Sequence, residues 1–425
     1  MPVYRLLYAD ESGNMYDHPL GAVGRTGDRL VELLDEDVTE LPAGASLVLL
    51  PDSHPVGLGK DGGFRLLERA PGGRGPARAV GALLPQGYTR TLLPGYRRRA
   101  RVPLPLLGYT AVAWRAGKVY VAARRTDDPG RWDPRHYSTE ELPGLVEERL
   151  AAAPRNRVLE HLARCALEYS CYTAQNIFYT RWEGGLPLSP ACNARCLGCI
   201  SLQPAECCPA PQSRLEFSPT RDEAVEVALH HLQHAPEAII SFGQGCEGEP
   251  TMAAGRVAAV IGEVRRRTGR GTLNMNSNAG CTRGVEQICD AGLDSMRVSL
   301  ISAREEVYNA YHRPQGFGLD DVACSIRAAR SRGVFVSLNL LVLPGLNDRA
   351  EETAALLRFI QENGVNQVQL RNLNIDPDYF WRHVPACGGE ISGIPYLIET
   401  LRNISGLEVG NFSRPVPGTP KFRQG

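Results

Sequence analysis

The sequence predicts an α/β protein whose larger part is a run of βα units building a parallel sheet, preceded by a β-rich N-terminal domain and a helical connector. Three observations carry this. Strand-like and helical stretches alternate from Leu186 onward, the pattern of parallel strands joined by crossover helices. Short β-like runs punctuated by Gly-containing turns fill the first part of the chain, the pattern of a small β domain. All twelve cysteines fall between Cys165 and Cys387, so whatever the thiols do belongs to the second part. The expected divisions are 1–138 (β-rich domain), 139–183 (helical connector), 184–375 (βα core) and 376–425 (a helix and an irregular tail).

At 425 residues the chain is too long for one ordinary domain. Lys plus Arg and Asp plus Glu both number 47, so overall charge does not favour nucleic acid, an anionic membrane or acidic substrates. The N-terminal MPVYRLLYADESG lacks a basic segment followed by an apolar one, and no apolar run approaches the ~20 residues that span a bilayer. A cytoplasmic protein without membrane contact is expected, with cysteines serving as ligands, reactive thiols or core residues rather than in disulfides.

In the N-terminal domain, strands are expected at Val3–Tyr8, Ser46–Leu50, Ala111–Trp114 and Lys118–Ala123, with turns at Asp61-Gly62-Gly63 and Ala116-Gly117. Arg97-Arg98-Arg99-Ala100-Arg101 suits RNA or phosphate contact, although a solvated charge run is the commoner meaning of such a cluster. The connector shows helical spacing in Leu142, Leu145 and Val146 and again in Val158, Leu162 and Cys165. Cys165 and Cys171 read as packed core thiols, since free cysteine is among the most buried residue types.

Six core strands are expected: Leu186–Ala191, Ala238–Gly243, Thr272–Ser277, Ser295–Ile301, Val334–Val342 and Gln367–Leu373. Between them, Thr220-Arg221-Asp222-Glu223 is a capping-box pattern, and Asp348-x-x-Glu351 opens a helix that Gly364 stops. The strands alternate in polarity. With Met296, Val298 and Leu300 toward the helices, Ser295, Arg297 and Ser299 turn inward, as do Asn274, Asn276 and Asn278, Ser337 and Asn339, and Gln367, Gln369 and Arg371. A closed barrel filled by branched side chains would not look like this. The implied interior is polar and suited to a bound polar ligand, because buried polar groups need partners; the alternative is an open sheet with one face in solvent, which would leave the helices little to pack around. In the tail, Ile394, Leu397, Ile398 and Leu401 form a helical stripe placed to close the barrel end, and Ser413–Pro420 is Pro-rich and irregular.

Cys192, Cys196 and Cys199 form a C-x3-C-x2-C motif. A [4Fe-4S] cluster takes four cysteines, so three leave one iron open to a ligand that is not protein. Zinc, with Cys207 or Cys208 as fourth ligand, is the rival. The second strand runs into Gln244-Gly245-Cys246-Glu247-Gly248-Glu249-Pro250. Together these stretches resemble the radical S-adenosylmethionine (radical SAM) enzymes: the cysteines resemble their cluster motif, and Gly248, Glu249 and Pro250 their Gly-Gly-Glu-Pro motif, with Glu247 in place of the first Gly. The resemblance implies a partial (βα)6 radical SAM barrel over roughly 184–375, with a [4Fe-4S] cluster and SAM as cofactors. It also implies that Gly248, Glu249 and Pro250 engage the SAM amino group, that Asn278 in Ser277-Asn278-Ala279-Gly280 reaches cofactor or substrate, and that Ser299 meets the SAM ribose and Arg297 its carboxylate. Leu343-Pro344-Gly345-Leu346-Asn347-Asp348 is similar to the turn that follows the family's fifth strand. By the same resemblance, the reduced cluster cleaves SAM to methionine and a 5'-deoxyadenosyl radical, which abstracts a substrate hydrogen.

Cys207, Cys208, Cys246 and Cys281 are open to three readings: ligands of a second cluster, hydrogen-atom donors, or incidental residues. Cys246, beside Gly-Glu-Pro, is the candidate catalytic thiol among them. The leading expectation is a radical SAM enzyme, oxidoreductase-like or group-modifying, acting on an unidentified organic substrate with a low-potential donor such as flavodoxin or ferredoxin. Radical modification of RNA or a peptide recruited by Arg97–Arg101, and a non-enzymatic zinc scaffold, are the alternatives.

Overall fold

A curled seven-stranded parallel sheet organises the second half of the chain in the computed structural model, which describes residues 3–98, 102–204, 207–385 and 387–416. Its strands are β1 (Glu183–Gly185), β2 (Ile239–Phe242), β3 (Thr272–Ser277), β4 (Ser295–Leu300), β5 (Phe335–Val342), β6 (Gln367–Asn372) and β7 (Glu408–Gly410). They lie side by side in chain order, every pair parallel. The connections include α4 (Arg221–His234), α5 (Ala254–Arg267), α6 (Thr282–Asp290), α7 (Glu305–His312), α8 (Leu319–Ser331) and α9 (Ala350–Asn363). Thr220 caps α4 in a full capping box, as expected. Asp348 does not cap α9: its carboxylate accepts from Gly345 N at 2.7 Å and holds the preceding turn, and Arg349 is the N-cap residue.

The first strand is displaced from its expected position. Leu186–Ala191 is not a strand; β1 lies just before it, and the last ladder bond runs from Leu186 N to the Ser241 carbonyl at 2.9 Å. Pro187 and Pro190 lack the N–H that pairing requires, so 186–191 leads across the sheet end to Cys192 instead. The C-terminal region also carries more structure than a helix and a tail. Ile394, Leu397, Ile398 and Leu401 of the helix Ile394–Arg402 join the main apolar core with Val368 and Leu370 of β6, and β7 then extends the sheet. The stripe packs as a connecting helix and does not plug the barrel end. Residues 417–420 of the Pro-rich stretch lie outside the described residues.

Side-chain alternation follows the expected parity. Leu273, Met275, Met296, Val298, Leu338 and Leu340 are buried in the core with the helices. The intervening side chains bond to one another across the interior: Asn274 Nδ2 donates to Ser241 Oγ (3.0 Å), Ser295 Oγ to Asn274 Oδ1 (2.9 Å), and Gln369 Nε2 to Gln367 Oε1 (3.1 Å).

The connector is three helices, α1 (Leu142–Ala152), α2 (Arg157–Leu167) and α3 (Tyr172–Tyr179), whose apolar faces enter the same core. The N-terminal domain is an antiparallel sheet. Strands at Arg5–Ala9, Ser46–Leu49, Val112–Arg115 and Lys118–Val121 answer to the four expected runs. Met15–Thr26 is a further strand at its centre. Ala116 and Gly117 turn the Val112–Val121 hairpin with φ of 49° and 85°, the left-handed pair favoured in two-residue hairpin loops.

This domain docks on the C-terminal end of the parallel sheet. Arg90, almost fully buried, donates to the carbonyls of Tyr109 (3.0 Å), Val342 (3.3 Å) and Leu373 (3.1 Å), while Arg90 N donates to Asn372 Oδ1 (2.8 Å). Arg98 Nη1 donates to Asp376 Oδ2 at 2.8 Å, and that oxygen also accepts from Leu104 N at 2.8 Å. Removing one member of a buried pair strands the other charge, at a cost of about 3–5 kcal/mol. Asp376→Ala should therefore lower the urea midpoint of the unfolding transition by a corresponding amount; an unchanged midpoint would show that this pair does not fasten the domains.

Candidate active site

A cavity of about 560 Å³ opens where the strands end. Its wall includes Cys192, Cys196 and Cys199, the β2 exit at Gly243–Gly245, Glu247–Glu249, Asn276–Asn278, Arg297, Ser299, Asn339 and Arg371, and it is bordered on the N-terminal domain by Leu84, Pro85, Gln86 and Tyr88. The N-terminal domain is therefore part of the site, which no motif in its sequence announces.

The cysteine loop is gripped from both sides. Upstream, Gly248 N donates to the Ser189 carbonyl (2.6 Å) and Glu249 N to the Ala191 carbonyl (2.7 Å). A Cβ on Gly248 would sit 2.0 Å from the Ala191 carbonyl oxygen, so only glycine permits this approach. Downstream, the loop pairs with the chain leaving α7: Leu197 N donates to the Tyr311 carbonyl (3.0 Å), Arg195 N to the His312 carbonyl (3.2 Å) and Gln315 N to the Asn193 carbonyl (2.8 Å).

Two buried carboxylates brace this arrangement. Glu249 accepts from Thr251 N (3.1 Å), Thr251 Oγ1 (2.8 Å), Ser277 Oγ (2.6 Å) and Asn278 N (2.8 Å), tying the loop after β2 to the end of β3. Its lone pairs are thus filled by its own chain, and a ligand ammonium must look to backbone carbonyls of this loop. Glu247 accepts from the backbone N–H of Leu188 (2.7 Å), Ser189 (2.9 Å), Gly243 (2.5 Å) and Gln244 (3.3 Å). Burial pushes its carboxyl up to about 7, against the pull of those four donors. The residue that departs from the Gly-Gly-Glu-Pro pattern thus joins the exits of β1 and β2.

Around the thiols, His312 Nδ1 lies 3.4 Å from Cys196 Sγ, and Arg214 Nη2 3.4 Å from Cys199 Sγ. Burial and the neighbouring thiols push Cys196 well above the ordinary thiol range, and burial raises Cys192. Burial lowers His312 to about 3, so its ring is neutral at physiological pH. Metal charge reverses the preference of buried thiols and deprotonates them outright. The donor set therefore fits a three-cysteine metal cluster. His312 Nε2 and Asn339 Oδ1, both buried in the cavity wall without a hydrogen-bond partner among the described residues, fit a polar occupant such as SAM.

The cavity brings together Cys192, Cys196, Cys199, Gly248, Glu249, Asn278, Arg297 and Ser299. Pro250 is buried beside it at the start of the short Pro250–Ala253 helix. Asn278 reaches the cysteine loop itself, Nδ2 donating to Asn193 Oδ1 at 2.7 Å. Arg297 is more committed than a cofactor contact alone requires. It donates to Asn276 Oδ1 (2.6 Å), Gln369 Oε1 (3.1 Å), Ser413 Oγ (2.8 Å) and Glu183 Oε1 (3.1 Å), leaving one of its five N–H donors. Burial raises Glu183, but Arg297 and Ser241 outweigh it and hold its carboxyl below the ordinary range.

Cys246 must be corrected. It does not line the cavity although Gly245 and Glu247 do; the loop turns its thiol toward Cys165 and His161 on α2. Cys207, Cys208 and Cys281 are also absent from the cavity wall. Of the arginine cluster, Arg98 is consumed by Asp376, Arg97 is exposed, and Arg99 and Arg101 lie outside the described residues. Sequence reasoning missed Glu183, Glu247 as a brace, Arg214 and His312. A lone Glu ahead of Gly184-Gly185, at a boundary placed one residue too late, was the available signal for the first.

Residues 186–357 match the Radical SAM superfamily model, a stretch that holds both the three-cysteine motif and Gly248-Glu249-Pro250, so this region of the chain is a radical SAM domain. Comparison with curated proteins returned no match. Similar solved structures include the radical S-adenosylmethionine methyltransferase TsrM from Kitasatospora setae with cobalamin and [4Fe-4S] cluster bound, at 14% identity and a TM-score of 0.34, covering 46% of this chain and 35% of that one. SuiB from Streptococcus suis bound to S-adenosylmethionine is 13% identical with a TM-score of 0.38, covering 65% and 67%. A radical SAM methyltransferase from Sphaerobacter thermophilus is 16% identical with a TM-score of 0.32, covering 46% and 58%. The chain thus spans only about a third of the first of these. No helix among the described residues is long and apolar enough to cross a membrane.

Stranding several buried N–H groups costs about 1–3 kcal/mol each. Glu247→Gly, which recreates Gly-Gly-Glu-Pro, should therefore weaken SAM binding to the cluster-loaded protein by about tenfold or more in isothermal titration calorimetry. Equal or tighter binding would contradict the bracing role.

Proposed function

We propose that this enzyme abstracts a hydrogen atom from a small polar organic substrate held in the cavity between the strand ends and the Leu84–Tyr88 segment. The observation that carries the reading is the continuity of one wall. The cavity bordered by the cysteine loop is also bordered by Arg371, Asn339 and Gln86, polar groups remote in sequence from the cluster motif. Its volume is within the usual range of small-molecule sites, about 300–1,000 Å³.

Cys192, Cys196 and Cys199 would hold the cluster, which with SAM bound would supply one-electron cleavage to an organic radical. The chain's own contribution is position and exclusion of water. Glu247 and Glu249 fix the loops on which SAM rests. Arg214 presents an N–H group to the Cys199 sulfur, favouring its anionic form, and His312 Nδ1 packs against the Cys196 sulfur. Arg297 and Glu183 secure the interior floor, while Arg371 Nη1, donating to Gln86 Oε1 at 2.9 Å, joins that floor to the N-terminal segment above it. A reactive radical needs this cover, and a docked domain supplies it without a mobile lid. A low-potential donor such as a flavodoxin or ferredoxin supplies the electron.

Anaerobically reconstituted protein should hold about four iron and four sulfide per chain and, with dithionite and SAM, release 5'-deoxyadenosine and methionine. The Cys192→Ala, Cys196→Ala, Cys199→Ala triple variant should do neither. Iron-loaded protein that leaves SAM intact would overturn the proposal. With a candidate substrate deuterated at the reacting carbon, deuterium should appear in the 5'-deoxyadenosine.

A further inference from the structure

Outside the active site, the connector and the SAM loop bring together a second set of metal-ligating side chains. One nitrogen of His161 and the sulfurs of Cys165 and Cys246 all lie within 4.8 Å of one another, with His161 Nε2 3.7 Å from Cys165 Sγ. Bonds of about 2.3 Å to sulfur and 2.0–2.1 Å to nitrogen place the ligands of one tetrahedral Zn²⁺ roughly 3.5–4 Å apart, so small side-chain adjustments close this set on a single ion.

The convergence has structural causes on both sides. His161 and Cys165 are four residues apart on α2 and share a face. After α2 the chain doubles back, Cys171 N donating to the Cys165 carbonyl at 3.0 Å, which fixes the end of the helix that carries the His161–Cys165 pair. Cys246 arrives from the other side of the core on the loop after β2, its carbonyl held by Leu215 N at 2.8 Å. Two thiols alone would suit a packed core or a redox pair. A histidine nitrogen converging with them to within 4.8 Å suits a cation.

We propose that His161, Cys165 and Cys246, with a water molecule as fourth ligand, bind one Zn²⁺ that staples the helical connector to the loop carrying Glu247, Gly248 and Glu249. The thiols release their protons to solvent on binding, and the half-buried His161 gives the ion its way in. Because Gly245 and Glu247 border the active-site cavity while Cys246 between them does not, such a staple would hold the SAM loop from behind without entering the reaction. The site is independent of the substrate reading above.

The test is metal analysis of the full-length, cluster-loaded protein incubated anaerobically with ZnCl2 and desalted. One zinc per chain is expected beside the cluster iron. The Cys165→Ser, Cys246→Ser double variant should lose the zinc and keep the iron, the retained iron showing that the barrel is folded. If that variant loses both, His161→Ala decides: retained iron with at least tenfold weaker zinc binding supports the site, and undiminished zinc binding overturns it. Adding the changes to the Cys192, Cys196, Cys199 triple variant excludes zinc held in the cluster motif: the triple variant should still bind one zinc, and the combined variant none. Absence of zinc from the holoprotein, zinc retained in the double variant, or a Cys165–Cys246 disulfide in its place, seen as a 2 Da loss in the linked peptides, would each overturn the proposal.

Discussion

The site depends on the close approach of two chain segments at Gly248. There the backbone of the loop after β2 lies against the run that ends in Cys192, with hydrogen bonds of 2.6 and 2.7 Å from Gly248 N and Glu249 N. A side chain at 248 has no room. Because those bonds join the cysteine loop to the Gly-Glu-Pro loop, the backbone itself sets the relative positions of the two segments. Glu247 and Glu249 then immobilise the segment on either side, one toward β1 and β2, the other toward β3. Carboxylates suit this work, since each can satisfy several N–H donors that a buried loop would otherwise strand.

The barrel interior follows from the same economy of polar groups. Glu183, Asn274, Asn276, Arg297 and Gln369 form a bonded network where a closed barrel would have branched apolar side chains. Burying the Glu183–Arg297 pair carries a desolvation cost that a well-packed apolar floor would avoid. What the network provides is a floor fixed in direction, with His312 Nε2 and Asn339 Oδ1 buried at the cavity wall and without hydrogen-bond partners among the described residues. The N-terminal domain completes the enclosure through Arg90, Arg98 and Gln86, each reaching across to the sheet end.

Much of this was legible in the sequence, for reasons that can be named. Strands β2 to β6 were found to within about one residue at each end because their alternation has one apolar and one polar face, and the inward parity deduced from Met296, Val298 and Leu300 led to the residues that line the cavity. Features set by long-range docking were not legible. β1 was misplaced because Glu-Gly-Gly has no strand propensity and is held by its neighbour β2, whereas Leu186–Ala191 looks extended but has prolines where donors are needed. β7 is three residues long and exists through pairing with β6. The approach of Leu84–Tyr88 to the cavity has no local signature, and Glu247 read as a motif defect because two of its four partners, Leu188 and Ser189, lie 59 and 58 residues earlier in the chain. Cys246 was singled out for its sequence neighbours, but alternation along the loop sends it to the opposite side.

The central claim is that three cysteines hold a cluster with one iron open to SAM, and electron paramagnetic resonance addresses it directly. The anaerobically reduced protein should show the signal of a [4Fe-4S]⁺ cluster, and adding SAM should change its g-values; with SAM labelled at the amino nitrogen by ¹⁵N, hyperfine coupling to the cluster should appear. A cluster signal that SAM leaves unchanged, with no coupling, would contradict an open iron at this site.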